Sequence, residues 1–318
     1  MIIVTGGAGF IGANVVRALN LRGERDIVVV DDLTDGRKFL NLVDCDIADY
    51  LDKDEFLERL STGAAAPAAS AVVHMGACSS TTEWDGRLMM DVNYRYSKVL
   101  WQWCAEHGIP FLYASSASVY GAGTDFDEAA GVEAPLNVYG YSKHLFDQFV
   151  RRHACDNQVV GFRFFNVYGP REQHKDSMAS VAWHFHQQLL SGDVVKLFAG
   201  TDGYGPGEQQ RDFVYVEDVC AAVLWFLDNP EAGGIFNIGT GRAQSFNDVA
   251  NAVIAWHDRG AIEYIPFPEH LRGRYQSFTE ANLGELRDVG CTAQFRSVED
   301  GVRRYLDWLT QNHASNSV

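Results

Sequence analysis

The chain has 318 residues, 47% of them hydrophobic, and a formal net charge of −16. That length buries a full core in one large domain or two modest ones, and the acidic balance argues against nucleic acid and anionic membranes as partners. No apolar run of about 18 residues and no basic-then-apolar leader occurs, so a cytoplasmic protein is expected, and any anionic substrate must meet a local cluster of positive charge.

In chain order, Ile2–Val4 is a short apolar run before glycines, positions 10 to 21 carry apolar residues at helical spacing, and Ile27–Val30 is a second run. AVVH at 71–74, FLYAS at 111–115 and VVGFRFF at 159–165 read as further strands, with amphipathic helices at 89–106 and 140–152 between them. STGAAAPAAS at 61–70 reads as a surface loop. Strands alternating with helices predict an α/β fold, a doubly wound parallel sheet of Rossmann type. From 166 onward the pattern loosens into helical stretches at 178–190 and 298–310 and a glycine-rich loop, TDGYGPGEQQ, at 201–210. A smaller mixed α/β substrate domain over the sheet's C-terminal edge is expected there. The expected division is 1–165 for dinucleotide binding, with a return around 213–240, and 166–212 plus 241–318 for substrate.

Gly6, Gly9 and Gly12 form G-x-x-G-x-x-G between a strand and a helix. Glycine allows the backbone to approach a pyrophosphate, and the helix N-terminus offers unpaired N–H donors. Asp31 ends the next strand, 19 residues past Gly12. An acid there accepts from the adenosine ribose hydroxyls and disfavours a 2′-phosphate. Lys38 and Lys53 lie within reach of such a phosphate, with Arg37 a third candidate. On the residues alone NAD has a slight edge over NADP.

Tyr139 and Lys143 stand in YGYSK on one helical face, and Ser116 ends a strand 23 residues before the tyrosine. A phenol titrates near 10, and lowering it to about 7 takes roughly 4 kcal/mol. A unit positive charge about 4 Å away at an effective dielectric near 20 supplies about that much. Lys143 is therefore expected to pull Tyr139 down into use as an acid/base, with the Ser116 hydroxyl holding the reacting alcohol. Cys45, Cys78, Cys104, Cys155, Cys220 and Cys291 are scattered and read as reduced small hydrophobes. His184 and His186 would point roughly 200° apart on a helix, so no shared metal is expected and His186 is assigned to the surface.

TGGAGFIG, the SSASVYG strand end, YGYSK, FRFFNVYGPR and RDFVYVEDV together resemble the extended short-chain dehydrogenase/reductase family of nucleotide-sugar epimerases and dehydratases, over nearly the whole chain. HMGACSSTTEWDG (74–86), YGPREQHKDSMASV (168–181) and IPFPEHLRGRYQSFT (265–279) resemble the branch that inverts carbon 6 of an ADP-linked heptose for lipopolysaccharide. The resemblance implies tightly held NADP, reversing the preference for NAD. The cofactor residues it implies are Gly6, Gly9, Phe10, Ile11, Gly12, Asp31, Asp32, Lys38, Lys53, Met75, Gly76, Ala77, Cys78, Ser79, Asn93, Lys143, Val167 and Lys175. Met75 stands where the family commonly has an acid, and the 201–210 loop looks longer than its counterpart.

The branch also implies a second proton-handling group, Lys175, beside Tyr139, Ser116 and Lys143. Implied substrate contacts are Ser116, Asn166, Ser177, His184, Phe198, Ala199, Gly200, Thr201, Arg211 and Tyr275. Arg211 would pair with the diphosphate, aided by Arg171 and Arg274. A homo-oligomer, pentameric in the family, is implied as well. A UDP-hexose 4-epimerase would give the EQHKDSM lysine no purpose. A 4,6-dehydratase needs an acid beside the catalytic hydroxyl, where Ala117 and Ser118 are neutral. A non-catalytic NADP(H)-binding protein would have no need of both Tyr139 and Lys143.

Overall fold

The computed structural model describes residues 1–62, 68–269 and 275–313. In chain order its elements are β1 (Ile2–Thr5), α1 (Phe10–Leu21), β2 (Ile27–Asp31), β3 (Asp49–Asp52), α2 (Lys53–Thr62), β4 (Ala71–His74), α3 (Gly86–Met89), α4 (Tyr96–His107), β5 (Phe111–Ser116), α5 (Val138–Arg152), β6 (Val159–Phe164) and β7 (Asn166–Tyr168). There follow α6 (Val181–Ser191), β8 (Val194–Phe198), β9 (Gln210–Arg211), β10 (Phe213–Tyr215), α7 (Val216–Asp228), β11 (Gly234–Ile238), β12 (Gln244–Ser245), α8 (Phe246–His257), β13 (Ala261–Ile265), α9 (Gly284–Asp288) and α10 (Val298–His313).

Seven strands form one parallel sheet in the order β11-β6-β5-β4-β1-β2-β3. Its central strands are buried on both faces, which is why they read as unbroken apolar runs rather than alternating ones. Successive side chains still part to opposite sides. Val4, Val29 and Val73 pack with Val15, Val16 and Leu19 of α1 and Val219 and Phe226 of α7. Ile3, Val28, Val30 and Val72 pack with Phe56 of α2, Leu100 and Trp101 of α4, and Phe146 of α5. A separate core gathers Phe185 and Leu189 of α6, Val195 and Leu197 of β8, Val253 of α8 and Leu306 of α10. β8 pairs there with β13, and β7 with β10.

Several elements depart from the sequence expectation. The helix expected at 89–106 is α3 and α4 joined through a wide π-type turn at Met90–Arg95. The helix expected from 178 begins at Val181, because Ser180 is its cap and accepts the N–H of Trp183. α7 exposes one narrow stripe, Glu217, Ala221 and Asp228 with the half-buried Trp225, buries most of the rest, and brings the chain back to β11 at the sheet edge. Within 61–70, Ser61 and Thr62 end α2, and 63–67 lie outside the described residues. All six cysteines carry free thiols. His186 is not at the surface: it is buried, and its Nδ1 lies 2.9 Å from Nε2 of His257, because α6 is covered on that side by α8. No helix among the described residues is long and apolar enough to cross a membrane.

Candidate active site

A cavity of about 910 Å³ opens along the C-terminal ends of the parallel strands, where ligands of open α/β sheets bind. Its floor is the turn between β1 and α1. Gly6 has φ +64°, and a Cβ there would stand 2.5 Å from the backbone nitrogen of Gly76; a Cβ on Gly12 would collide with the Gly6 carbonyl. Only glycine allows this close approach at Gly6 and Gly12, which lets a pyrophosphate come near the backbone at the start of α1.

Asp31 braces that turn. Its carboxylate accepts the N–H of Ala8 at 2.7 Å and of Asp32 at 2.6 Å, and the ammonium of Lys38 at 2.7 Å. The acid expected to discriminate between cofactors is thus already engaged by the protein, with Lys38 beside it. Lys53 lines the same end, 2.8 Å from Asp54 and 3.9 Å from Asp32. Burial alone would lower Lys53, but Asp54 and Asp32 outweigh it and hold the ammonium above its ordinary value. Arg37 does not line the cavity; it pairs with Asp35, which does, and with Asp176, which does not.

Met75 to Ser79, following β4, form one side of the cavity. Asn93 does not line it. The π-type turn directs its carboxamide behind the wall, where it accepts the N–H of Cys78 at 2.8 Å and donates to the Cys78 carbonyl and to Ser142 Oγ, both at 3.0 Å. Asn93 therefore shapes the segment that faces the cavity.

Ser116 ends β5, and Tyr139 and Lys143 rise from the first turns of α5. Asn137 caps that helix by accepting the N–H of Gly140 at 2.8 Å. All three side chains reach the cavity, with the Ser116 hydroxyl near the Tyr139 phenol. The expected direct pull of Lys143 on the phenol is not the arrangement found. The Lys143 ammonium donates to the Ala114 carbonyl at 2.8 Å, and burial lowers its pKa to about 8 against the opposing charge of Asp147. Burial raises the phenol of Tyr139 above its ordinary value, with the nearby Ser116 hydroxyl opposing.

Behind these groups lies a buried ionic network. Asp147, one turn beyond Lys143, accepts from Tyr113 at 3.0 Å, Ser115 at 2.9 Å and Arg163 Nε at 3.1 Å. Arg163, fully buried on β6, also reaches Glu133 at 2.6 Å. The network pins the back of α5 to β5 and β6.

Lys175 enters the cavity from a different part of the chain, on a single 3₁₀ turn, Gln173–Met178. Its ammonium lies 5.4 Å from the centre of the Phe10 ring in the phosphate turn. Burial lowers its pKa, and the Glu172 carboxylate opposes that. His174 also lines the cavity, although it was not among the expected site residues.

Of the expected cofactor residues all but Asn93 line this cavity; of the expected substrate residues, Ser116 and Asn166 do. Ser177 is exposed on the outer side of its turn, and His184 packs edge-on against Trp183. Phe198, Ala199, Gly200 and Thr201 lie beyond the wall, joined to it by rings in contact: Phe198 meets Phe267 at 5.6 Å, and Phe267 meets Tyr275 at 5.3 Å. The buried Arg211 guanidinium lies 4.8 Å from the Tyr275 ring and 5.7 Å from that of Phe246, and Phe246 faces the cavity. Phe246 is a lining residue outside every quoted motif, and Phe213, inside RDFVYVEDV, lines the cavity although it was not among the expected site residues. Arg171 is not available to a diphosphate. It is buried, donating to the Asn41 carbonyl at 2.9 Å and pairing with Asp44 at 2.7 Å. Arg274 lies outside the described residues. Among the described residues no cluster of three metal-ligating side chains occurs.

The profile of the NAD dependent epimerase/dehydratase family matches residues 2–239. The chain belongs to that family. It is 59% identical over 309 residues to the ADP-L-glycero-D-manno-heptose-6-epimerase of Alkalilimnicola ehrlichii, covering 96% of this chain and 97% of the relative. Among solved structures, the Helicobacter pylori ADP-L-glycero-D-manno-heptose-6-epimerase superposes with a TM-score of 0.83 at 30% identity, covering 97% of this chain and 96% of that one. The Thermotoga maritima UDP-glucose 4-epimerase, solved with UDP-glucose, gives 0.81 at 26% identity over 98% and 99%. In this epimerase the family profile ends at Gly239, so Phe246 and Tyr275 lie past it, in the part shared with the full-length relatives.

Proposed function

We propose that this epimerase inverts carbon 6 of ADP-D-glycero-β-D-manno-heptose to give the L-glycero epimer, for lipopolysaccharide inner-core heptose, in the cytoplasm and with NADP as its resident cofactor. The observation that carries this reading is that two proton-handling side chains, Tyr139 on α5 and Lys175 on the 173–178 turn, reach one cavity floored by the glycine turn. The full-length likeness to the Alkalilimnicola enzyme supports the choice of sugar.

The residues fit the cofactor. Gly6, Gly9 and Gly12 leave the helix N-terminus open to a pyrophosphate, and Lys38 and Lys53 supply positive charge where a 2′-phosphate would lie, while Asp31 is held by Ala8 and Lys38. A nicotinamide bound there would supply reversible hydride exchange at carbon 6. Ser116 holds the oxygen at that carbon by hydrogen bond. Inversion presents the oxygen in two orientations, which one base on a fixed side serves poorly. Tyr139 moves the proton in one orientation and Lys175 in the other. Lys143, held by the Ala114 carbonyl, would orient the cofactor ribose. Arg211, set against rings rather than a carboxylate, meets the diphosphate, with Phe246 between it and the reacting end.

Proton NMR of the ADP-heptose incubated with purified protein, without added cofactor, tests this. The L-glycero epimer is expected. No epimer after NADP⁺ is supplied sinks the reading, and conversion of a UDP-hexose instead would move the protein to the 4-epimerases. We also propose a homo-oligomer, pentameric by resemblance to the family, which sedimentation equilibrium measures.

A further inference from the structure

We propose that Arg37, in the loop after β2, is a positioning residue for Lys175, acting through Asp176 and His174. The proposal rests on Lys175 being a proton-handling group, as argued above. Lys175 stands on one turn of 3₁₀ helix with no side-chain cap, and Asp176 in that turn has φ +47° and ψ −116°. A non-glycine residue there is strained and persists only where neighbours fix it. The turn cannot hold such a conformation alone.

Arg37 supplies the fixing. Its guanidinium grips both carboxylate oxygens of Asp176, at 2.9 and 2.8 Å, and Nη2 reaches the His174 carbonyl at 3.4 Å. Asp35 orients the guanidinium from the other side, with bonds of 2.9 Å from Nε and 2.8 Å from Nη2. A planar fork between two carboxylates has one geometry, which a flexible ammonium would not reproduce. Asn41 adds a second tie, its carboxamide spanning the Ala8 carbonyl at 2.9 Å and His174 Nδ1 at 3.2 Å. Both carboxyls at Arg37 are held below the ordinary range, chiefly by their bonds to it, Asp35 at about 2, so the latch stays charged at any working pH. The loop that presents Lys38 to the cofactor end therefore also sets the backbone on either side of Lys175. Arg37 itself does not face the cavity, so its influence on turnover must pass through this turn.

The test uses the full chain with its cofactor, comparing wild type with Arg37→Ala, Arg37→Lys, Lys175→Met and the double variant Arg37→Ala/Lys175→Met. Arg37→Ala is expected to lower kcat roughly tenfold, with KM, NADP affinity and melting temperature nearly unchanged because an exposed ion pair contributes little to stability. It should speed amide hydrogen exchange across 172–178, and Arg37→Lys should recover only part of the rate. In the Lys175→Met background the loss should vanish, since both changes act on one group. An equal loss in that background, or unchanged exchange at 172–178, overturns the proposal. Weakened NADP binding with kcat intact also overturns it, making Arg37 a phosphate ligand. If wild type fails to epimerise the ADP-heptose yet Arg37→Ala still loosens the turn, the functional reading fails while the latch stands.

Discussion

The two regions that bring the proposed proton-handling groups to the cavity are built in opposite ways. Tyr139 rides on α5, a helix of 15 residues with a capped N-terminus and a buried ionic network at its back. Lys175 rides on a six-residue 3₁₀ turn held by side chains from the loop after β2. The first region is rigid through its own backbone hydrogen bonds and packing. The second has two backbone bonds at its turn, from Lys175 to Glu172 and from Ala179 to Asp176, and adds contacts with residues more than 130 positions earlier. A group that keeps one position through a reaction is well served by the helix, whereas a group that must meet a turned substrate is served by a segment whose placement can be tuned from outside.

The largest effect that tests this contrast is Tyr139→Phe. Turnover should fall roughly 10³-fold, the usual range for losing a general acid/base, while cofactor stays bound by fluorescence titration. Retained turnover would leave the helix without its proposed role. Next, Arg163→Met should destabilise the fold by about 3–5 kcal/mol, because Asp147 would remain fully buried without its ion-pair partner, while Glu133 keeps Arg151; a urea titration measures it. A loss below about 1 kcal/mol would show that the back of α5 is not fixed by this network. Lys175→Met should cost roughly 10²-fold in kcat with little change in urea midpoint, separating a side chain that supports chemistry from one that supports the fold.

The smallest effect is a pH slope. Burial lowers Lys143 to about 8, against 10.5 for a free lysine. With the folded value below the unfolded one, the unfolded chain binds more protons between these limits, so stability rises with pH across them. The cost of burying the ammonium is present in full below about 8 and fades toward 10.5. Lys143→Met removes that slope, so the difference in melting temperature between variant and wild type should change between pH 8 and 10.5 and stay flat from pH 6 to 7.5. A difference independent of pH would mean that Lys143 titrates normally, and that α5 does not desolvate its own lysine.

The cofactor half of the site was legible because its parts are local. Gly6, Gly9 and Gly12 follow β1 into the start of α1 and Asp31 ends the neighbouring β2, so spacing along the chain translates directly into position on the sheet. Ser116, Tyr139 and Lys143 follow the same logic. The sugar half was legible only in pieces. Phe246 faces the cavity from the start of α8, far in sequence from Asn166, and no periodicity marks it. Arg171 looked like a free cation, yet its fold position closes a contact with Asn41 and Asp44. β3 and α2 were missed because DYLD is mostly polar and exposed, a sheet edge without an apolar run. His186 was misassigned because its burial depends on α8, which arrives some 60 residues later.

The late arrival of β11 has a consequence for synthesis. β6 is an apolar strand, VVGFRF, whose outer edge is completed by Gly234–Ile238, so some 70 residues must leave the ribosome before that edge closes. During that interval the nascent chain exposes unpaired backbone beside Val160, Phe162 and Phe164, a template for pairing with another chain. Non-local strand pairing of this kind is slow to form. Chains cut short before β11 should therefore collect in insoluble material, and demand on chaperones should centre on this stretch of translation rather than on the glycine turn, whose partners β1, β2 and β4 emerge within the first 74 residues.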